Sequence, residues 1–304
     1  MVRPLVPKRS FTTSIAPLRL VTFENKAKAR KVGVQIQDSI ADVTEFTGIK
    51  DMRTLMEQLD TTGFRQKLTD FTNSGKHRIN LKDVTLKAPI YNPEKIICIG
   101  LNYVDHAKET GAAIPTEPIL FNKFPTAIVG PNDNIVKPRD SNELDYEAEL
   151  VVVIGKTGRN IPASQALSYI GGFTVGHDVS ARDWQKRKPG GQWLSGKSFD
   201  TFAPIGPAIV TTVSDPHNLN VKCTLNGNVM QNGSTRDLIF KLDKLIEYIS
   251  RIATLKPGDL LFTGTPAGVG AARKPPVFMK GGDTVTIEIQ EIGTITNHVV
   301  EESK

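Results

Sequence analysis

The stretch "DYEAELVVVIG", Asp145–Gly155, decides the fold. Its apolar half, Leu150–Ile154, is a short run dominated by β-branched valine, which reads as a buried strand. Its acidic half puts Glu147 and Glu149 two residues apart, so on a strand both side chains point to one face. Working outward, the same texture recurs in "IGGFTVGHD" (170–178), "NVKCTLNG" (220–227), "GDLLFTG" (258–264) and "GDTVTIEIQEIGTITNHVV" (282–300). Asn226-Gly227 marks a tight hairpin turn. One clear helix, "LDKLIEYISRIATL" (242–255), interrupts these strands. Strands that do not alternate with helices exclude a doubly wound parallel sheet. The expected class is α+β and mainly β: a mixed, largely antiparallel roll or barrel.

Upstream, "LRLVTFENKAKARKVGVQI" (18–36) reads as two strands around a polar turn, and 51–60 and 63–74 carry apolar residues at helical spacing. The texture changes at "LKAPIYNPEKIICIG" (86–100), where prolines precede a buried strand. This predicts a small N-terminal domain over 18–88 and a larger β domain over 89–304.

The chain has 304 residues and a net charge of +6. The first 23 residues contain Arg3, Lys8, Arg9 and Arg19, several hydroxyl residues and no acid. That composition predicts a mitochondrial transit segment over 1–17 and a matrix destination. Removing it takes three basic residues away, which leaves a mildly basic chain and no case for nucleic acid. The longest apolar run is far too short to span a bilayer, so no membrane partner is expected. Cys98 and Cys223 have no CxxC partner and are read as reduced core residues.

"GQWLSGKS" (191–198) fits a phosphate-binding loop letter for letter. Such a loop needs a strand before it and a helix starting at Lys-Ser. Here a polar, proline-broken lead-in precedes it and "FDTFAPIGP" follows, so the nucleotide reading is rejected. Lys197 remains as a cation of interest.

Glu147 and Glu149 at the edge of a core repel one another and are costly to desolvate unless something positive offsets them. Asp178, at the end of a glycine-rich strand, supplies a third carboxylate. Three oxygen donors on neighbouring strands suit a hard divalent ion, Mg²⁺ or Mn²⁺, with Ca²⁺ also compatible; zinc is disfavoured by the lack of a His/Cys cluster. His177 alternates to the opposite face and is read as structural. In "GLNYVDHAKETG" (100–111), His106 and Glu109 share a face if the segment is helical, forming an acid–base pair suited to proton transfer.

In order, these motifs resemble the fumarylacetoacetate hydrolase superfamily: H-x-x-E after "GLNY", then E-x-E, "HDVSARDWQ", "GKSFDTFAPIGP" and "LFTGTPAGVG". The resemblance spans roughly residues 90–300 and is closest, through "SARDWQ", "GKSFDTF" and "RKPPVF", to the domain-containing protein 2 branch, described as mitochondrial oxaloacetate tautomerases. It implies that Glu147, Glu149 and Asp178 hold the metal, and that His106 and Glu109 are a catalytic dyad on a segment that closes over the site. It also implies Lys197 as a catalytic lysine, and Gln185 and Thr265 as substrate contacts. A dicarboxylate substrate requires a second anion site, for which Arg182 and the basic run 185–193 are candidates. The family resemblance further implies a homodimer acting on a small keto acid. Keto–enol tautomerisation of oxaloacetate is the leading expectation. Hydrolysis of an acylpyruvate C–C bond, oxaloacetate decarboxylation, and a non-catalytic metal-binding role on the same fold remain alternatives.

Overall fold

The structure is a computed structural model that describes residues 17–188 and 190–303. The transit segment expected over 1–17 lies outside these residues except for Pro17. Among the described residues, no helix is long and apolar enough to cross a membrane.

A twelve-stranded mixed sheet forms the body. Its centre is the strand Ala148–Ile154, buried at every position. On one side it pairs antiparallel with Ile170–His177, and on the other with Leu260–Phe262. Ala203–Val210 extends the sheet beyond Ile170–His177, and Ile96–Gly100 extends it in parallel beyond Leu260–Phe262. A sheet buried on both faces explains why the central strand is an unbroken apolar run rather than an alternating one.

Arg19–Glu24 pairs with Ala203–Val210 and carries Arg30–Ile36 and Ser39–Asp42 outward, so residues 18–88 add strands to the same sheet. The helices Met52–Leu59 and Phe64–Asn73 appear where helical spacing predicts them, the first capped by the Asp51 side chain on the Thr54 N–H.

A second, five-stranded sheet contains the hairpin Asn220–Leu225 and Asn228–Ser234, turned at Asn226 and Gly227 with φ of 51° and 79°. Those left-handed values belong to the tight turn that the Asn-Gly pair predicts.

The large sheet runs openly from Arg78–Asn80 to Ile119–Lys123 and does not close among the described residues, so a roll, not a barrel, is the architecture. The roll brings the edge strand back toward the centre. Lys123 donates to the carbonyls of Val179, Lys197 and Phe202 at 3.0, 2.5 and 2.8 Å.

Strand direction now places the site. Ala148–Ile154 starts, Ile170–His177 ends, Leu260–Phe262 ends, Ile96–Gly100 ends and Ala203–Val210 starts at the same margin of the sheet. The residues just beyond those ends are Glu147, Asp178, Gly264-Thr265, His106 and Lys197. Residues scattered along the sequence therefore meet because alternate strand ends face one way.

Candidate active site

The three carboxylates converge. Ligand atoms of Glu147, Glu149 and Asp178 lie within 4.8 Å of one another, and all three side chains are buried. Register does this: Glu149 pairs with Gly176, and the Asp178 N–H donates to the Glu147 carbonyl at 2.9 Å. Gly176 cannot be larger. A Cβ there would sit 2.3 Å from Val151 Cγ2 and 2.7 Å from a Phe262 ring carbon.

Cations distribute unevenly over the triad. Glu147 takes Arg182 Nη2 at 2.5 Å and Lys197 Nζ at 2.7 Å. Asp178 takes Lys197 Nζ on one oxygen and Lys123 Nζ on the other, both at 2.7 Å. Among the described residues, Glu149 takes only a neutral donor, the Gly264 N–H at 2.8 Å. Burial pushes the Glu147 carboxyl up, but Arg182 and Lys197 outweigh it and hold the group well below its usual range. Burial and the charges of Asp178 and Glu147 push Glu149 well above it. Lys197 is held above its ordinary value: burial lowers it, and Asp178 and Glu147 more than restore it.

A divalent cation fits this arrangement. The donors are all carboxylate oxygens, the set preferred by hard ions. Glu149 is the one carboxylate of the three without a cationic partner among the described residues, and an ion in the triad would supply that charge.

The dyad forms as expected. Val104–Glu109 is helical, and His106 Nδ1 lies 2.7 Å from Glu109 Oε1. Glu109 Oε2 accepts the Gly268 N–H at 2.8 Å, which ties this helix to the loop after Leu260–Phe262. A carboxylate that accepts from both partners leaves Nδ1–H as the donor and the lone pair on Nε2. The helix is launched by Asn102, whose amide bridges Thr263 O at 2.8 Å and the Phe240 N–H at 2.8 Å.

Lys197 is buried, with its ammonium 4.9 Å from the centre of the Phe121 ring. The short helix Leu194–Lys197 ends at this lysine, whereas a phosphate loop would begin a helix there. Gly196 is required for packing: a Cβ would lie 2.5 Å from Gln185 N and 2.7 Å from Ala181 O. The polar lead-in is ordered, not a bare loop. Asp183–Arg187 is a π-helical turn, and Gln185 is buried on it.

His177 is fully buried, and neither ring nitrogen has a hydrogen-bond partner among the described residues. Burial, then the Lys123 charge, pushes its pKa down to about 3, so it is a neutral core histidine, matching its expected structural role.

His106, Glu109, Glu147, Glu149, Arg182, Gln185, Lys197 and Thr265 all line one cavity of about 580 Å³; Asp178 lies behind it, fully buried. Thr265 Oγ1 donates to Ala148 O at 2.9 Å and accepts from Gln231 Nε2 at 2.8 Å. Arg182 is heavily committed: Nε binds Asp145 at 2.8 Å and Nη1 binds Gln185 Oε1 at 2.9 Å, in addition to the Glu147 contact. Its charge therefore already serves carboxylates of the chain itself.

Sequence reasoning missed Lys123, Asp145 and Arg273. A lone lysine closing an apolar strand in "ILFNK" is a signal for Lys123. The Asp145 partnership, which also accepts the Gly270 N–H at 2.7 Å, has no local signal.

Residues 95–300 match the family model described as fumarylacetoacetate (FAA) hydrolase, C-terminal. The chain belongs to this family. It is 48% identical over 303 residues to the Xenopus laevis protein named oxaloacetate tautomerase fahd2, mitochondrial, covering 97% of this chain and 94% of that one. It is 55% identical over 220 residues, 72% of this chain and 70% of the other, to human oxaloacetate tautomerase FAHD2A, mitochondrial.

Among solved structures, the fumarylacetoacetate hydrolase of Exiguobacterium antarcticum superposes with a TM-score of 0.84 at 36% identity, covering 94% of this chain and 100% of that one. A maleylpyruvate hydrolase from Sphingobium sp. SYK-6, solved with manganese(II) and pyruvate, gives a TM-score of 0.78 at 32% identity over 94% of this chain and 100% of that one.

Proposed function

We propose that this chain is a mitochondrial oxaloacetate tautomerase, converting the enol to the keto form. The observation that carries the reading is the His106–Glu109 dyad, at 2.7 Å, lining the same cavity as the buried carboxylate triad. The near-full-length relative named oxaloacetate tautomerase supports the choice of reaction within a family of varied chemistry.

Glu147, Glu149 and Asp178 hold the divalent ion, Mg²⁺ or Mn²⁺, the latter present in the Sphingobium relative. When bound, such an ion supplies Lewis acidity toward the 2-oxo acid end of the substrate. Lys197 adds a buried positive charge where the C2 oxygen becomes anionic, and a preorganised cation there lowers the enolate's energy. His106 Nε2 takes up or delivers the proton at C3, and Glu109 steadies the imidazolium. The enol loses its hydroxyl proton and gains one on carbon, so the reaction balances within the substrate. Gln185 and Thr265 orient the acid end.

Residues 18–88 form a supporting unit under this reading, because every residue lining the cavity comes from Ile99 onward. Residues 1–17 are the transit segment, which mass spectrometry of the mature N-terminus would find missing. The homodimer implied by the family resemblance belongs to the same proposal and is read by sedimentation velocity.

The direct test follows ultraviolet absorbance of enol-oxaloacetate. Decay should accelerate with enzyme and Mg²⁺, and the acceleration should vanish with chelator. A decay no faster than buffer, or acylpyruvate cleavage outpacing it, defeats the proposal in favour of the hydrolase.

A further inference from the structure

A C4 dicarboxylate places a second negative charge in the cavity, and Arg182 is already shared between Asp145 and Glu147. The other cations lining the cavity divide cleanly. Lys197 is paired with Glu147 and Asp178. Arg273, Lys186 and Lys274 have no acidic partner among the described residues.

Arg273 is half-buried and, among the described residues, bonds only neutral oxygens: Nε to Tyr146 Oη at 3.1 Å and Gly268 O at 3.3 Å, Nη2 to Met230 O at 2.6 Å. Its Nη1 donates to nothing among the described residues. Tyr146 precedes the ligand Glu147, and the turn Gly270–Ala272 is anchored by its Gly270 and Ala271 N–H groups on Asp145 at 2.7 and 3.0 Å. The guanidinium is thus braced against the backbone that presents the triad, and its charge is uncompensated. Lys186 and Lys274 stand at the rim of the same cavity, both exposed, so of the three unpaired cations Arg273 alone is held in place by the fold.

Resting on the tautomerase reading for its substrate, we infer that Arg273, assisted by Lys186, is the subsite for the far carboxylate and selects dicarboxylic over monocarboxylic 2-oxygenated acids. A guanidinium held by neutral acceptors keeps its full charge for a ligand and pays little ordering entropy on binding. Cavity volume does not make this selection, because about 580 Å³ also admits larger and less charged acids.

Calorimetry on the Mn²⁺-loaded chain with malate and lactate tests the subsite, since these share the 2-oxygenated acid end and differ in the far carboxylate. Arg273→Gln should weaken malate about 10- to 100-fold, the range of a lost charge-assisted hydrogen bond, and change lactate by less than about 3-fold. Arg273→Lys should recover part of the malate loss, and Lys186→Gln should cost malate several-fold. Mn²⁺ affinity should be unchanged in all three. Equal losses for malate and lactate, or none for malate, overturn the inference. If Arg273→Gln does not fold, Arg273→Lys and Lys186→Gln decide by the same ratio. A wild-type chain that fails to accelerate enol-oxaloacetate decay sinks the tautomerase reading, while the malate-to-lactate ratio still judges the subsite.

Discussion

The Asp178 N–H donates to the Glu147 carbonyl at 2.9 Å, so two carboxylates distant in sequence are locked together by backbone before any ion arrives. Their side chains share one cation, Lys197, which lies 2.7 Å from each. The site is therefore a property of strand register. Whatever shifts the pairing of Ala148–Ile154 with Ile170–His177 moves ligands apart.

Gly176→Ala tests this register. The added methyl meets Val151 and Phe262 at distances no real Cβ shows. Overpacking of this kind costs typically ~1–3 kcal/mol. Urea unfolding should record that loss, and Mn²⁺ binding, read by electron paramagnetic resonance, should weaken with it. Unchanged ion affinity in a destabilised variant would mean that Asp178 and Glu147 hold their places without the glycine.

Glu149→Gln separates charge from shape. Burial and the neighbouring charges of Asp178 and Glu147 already disfavour ionised Glu149. The neutral isostere should leave the ion-free chain as stable as wild type or more so in thermal melts. Divalent ions should raise the wild-type melting temperature and fail to raise the variant's. Ion affinity should fall by more than the ~10–100-fold typical of outer-shell changes. A melting temperature that still climbs with Mg²⁺ would remove Glu149 from the ligand set.

Much of this was legible in the sequence, and the reason is local. Glu147, Glu149 and Asp178 announce themselves as acids at the ends of apolar strands, and His106 with Glu109 at helical spacing. Pairing order was not legible, because which strand ends share a margin depends on long-range topology. Arg182 illustrates the cost. Sequence offered it as an anion site, and the fold ties it to Asp145 and Glu147 through a contact that no spacing rule predicts. Lys123 and Arg273 escaped notice for the same reason: their partners lie in distant segments.

His217 gives a pH test remote from the site. Its Nε2 accepts the Leu242 N–H at 3.2 Å, capping the helix Leu242–Ile252. Only the neutral ring can accept there. Burial, then the Lys241 charge, lowers the pKa of this half-buried residue from its ordinary 6.5. A folded-state value below the unfolded one means that the unfolded chain binds the proton first as pH falls. The contribution is complete above about pH 6.5 and is lost as the pH drops from there through the folded value. Urea midpoints from pH 7.5 to 5 should fall more steeply for wild type than for His217→Gln, which keeps an acceptor and does not titrate. Parallel profiles would show that the cap is indifferent to protonation.

Lys197 and the dyad should fail in different ways. Lys197→Met removes the buried cation beside the developing enolate and, losing a preorganised electrostatic contact, should lower kcat by ~10²–10³. The deficit should appear in tautomerisation and in any oxaloacetate decarboxylation alike, because both pass through the same anion, and added Mg²⁺ should not restore it. His106 and Glu109 instead move a proton, worth ~10²–10⁴. Because Glu109 acts through the 2.7 Å contact with His106 Nδ1, removing either should nearly exhaust the effect. The double variant His106→Ala/Glu109→Ala should be little slower than the slower single variant. Additive losses would mean that the two residues work independently, with Glu109 acting through its Gly268 contact and the loop it holds. A wild-type tautomerase rate in His106→Ala would carry the proton to another group. Lys197, which lines the same cavity, is then the next candidate, and the dyad would belong to hydrolysis of a C–C bond, which the acylpyruvate assay on the same variant would expose as a selective loss.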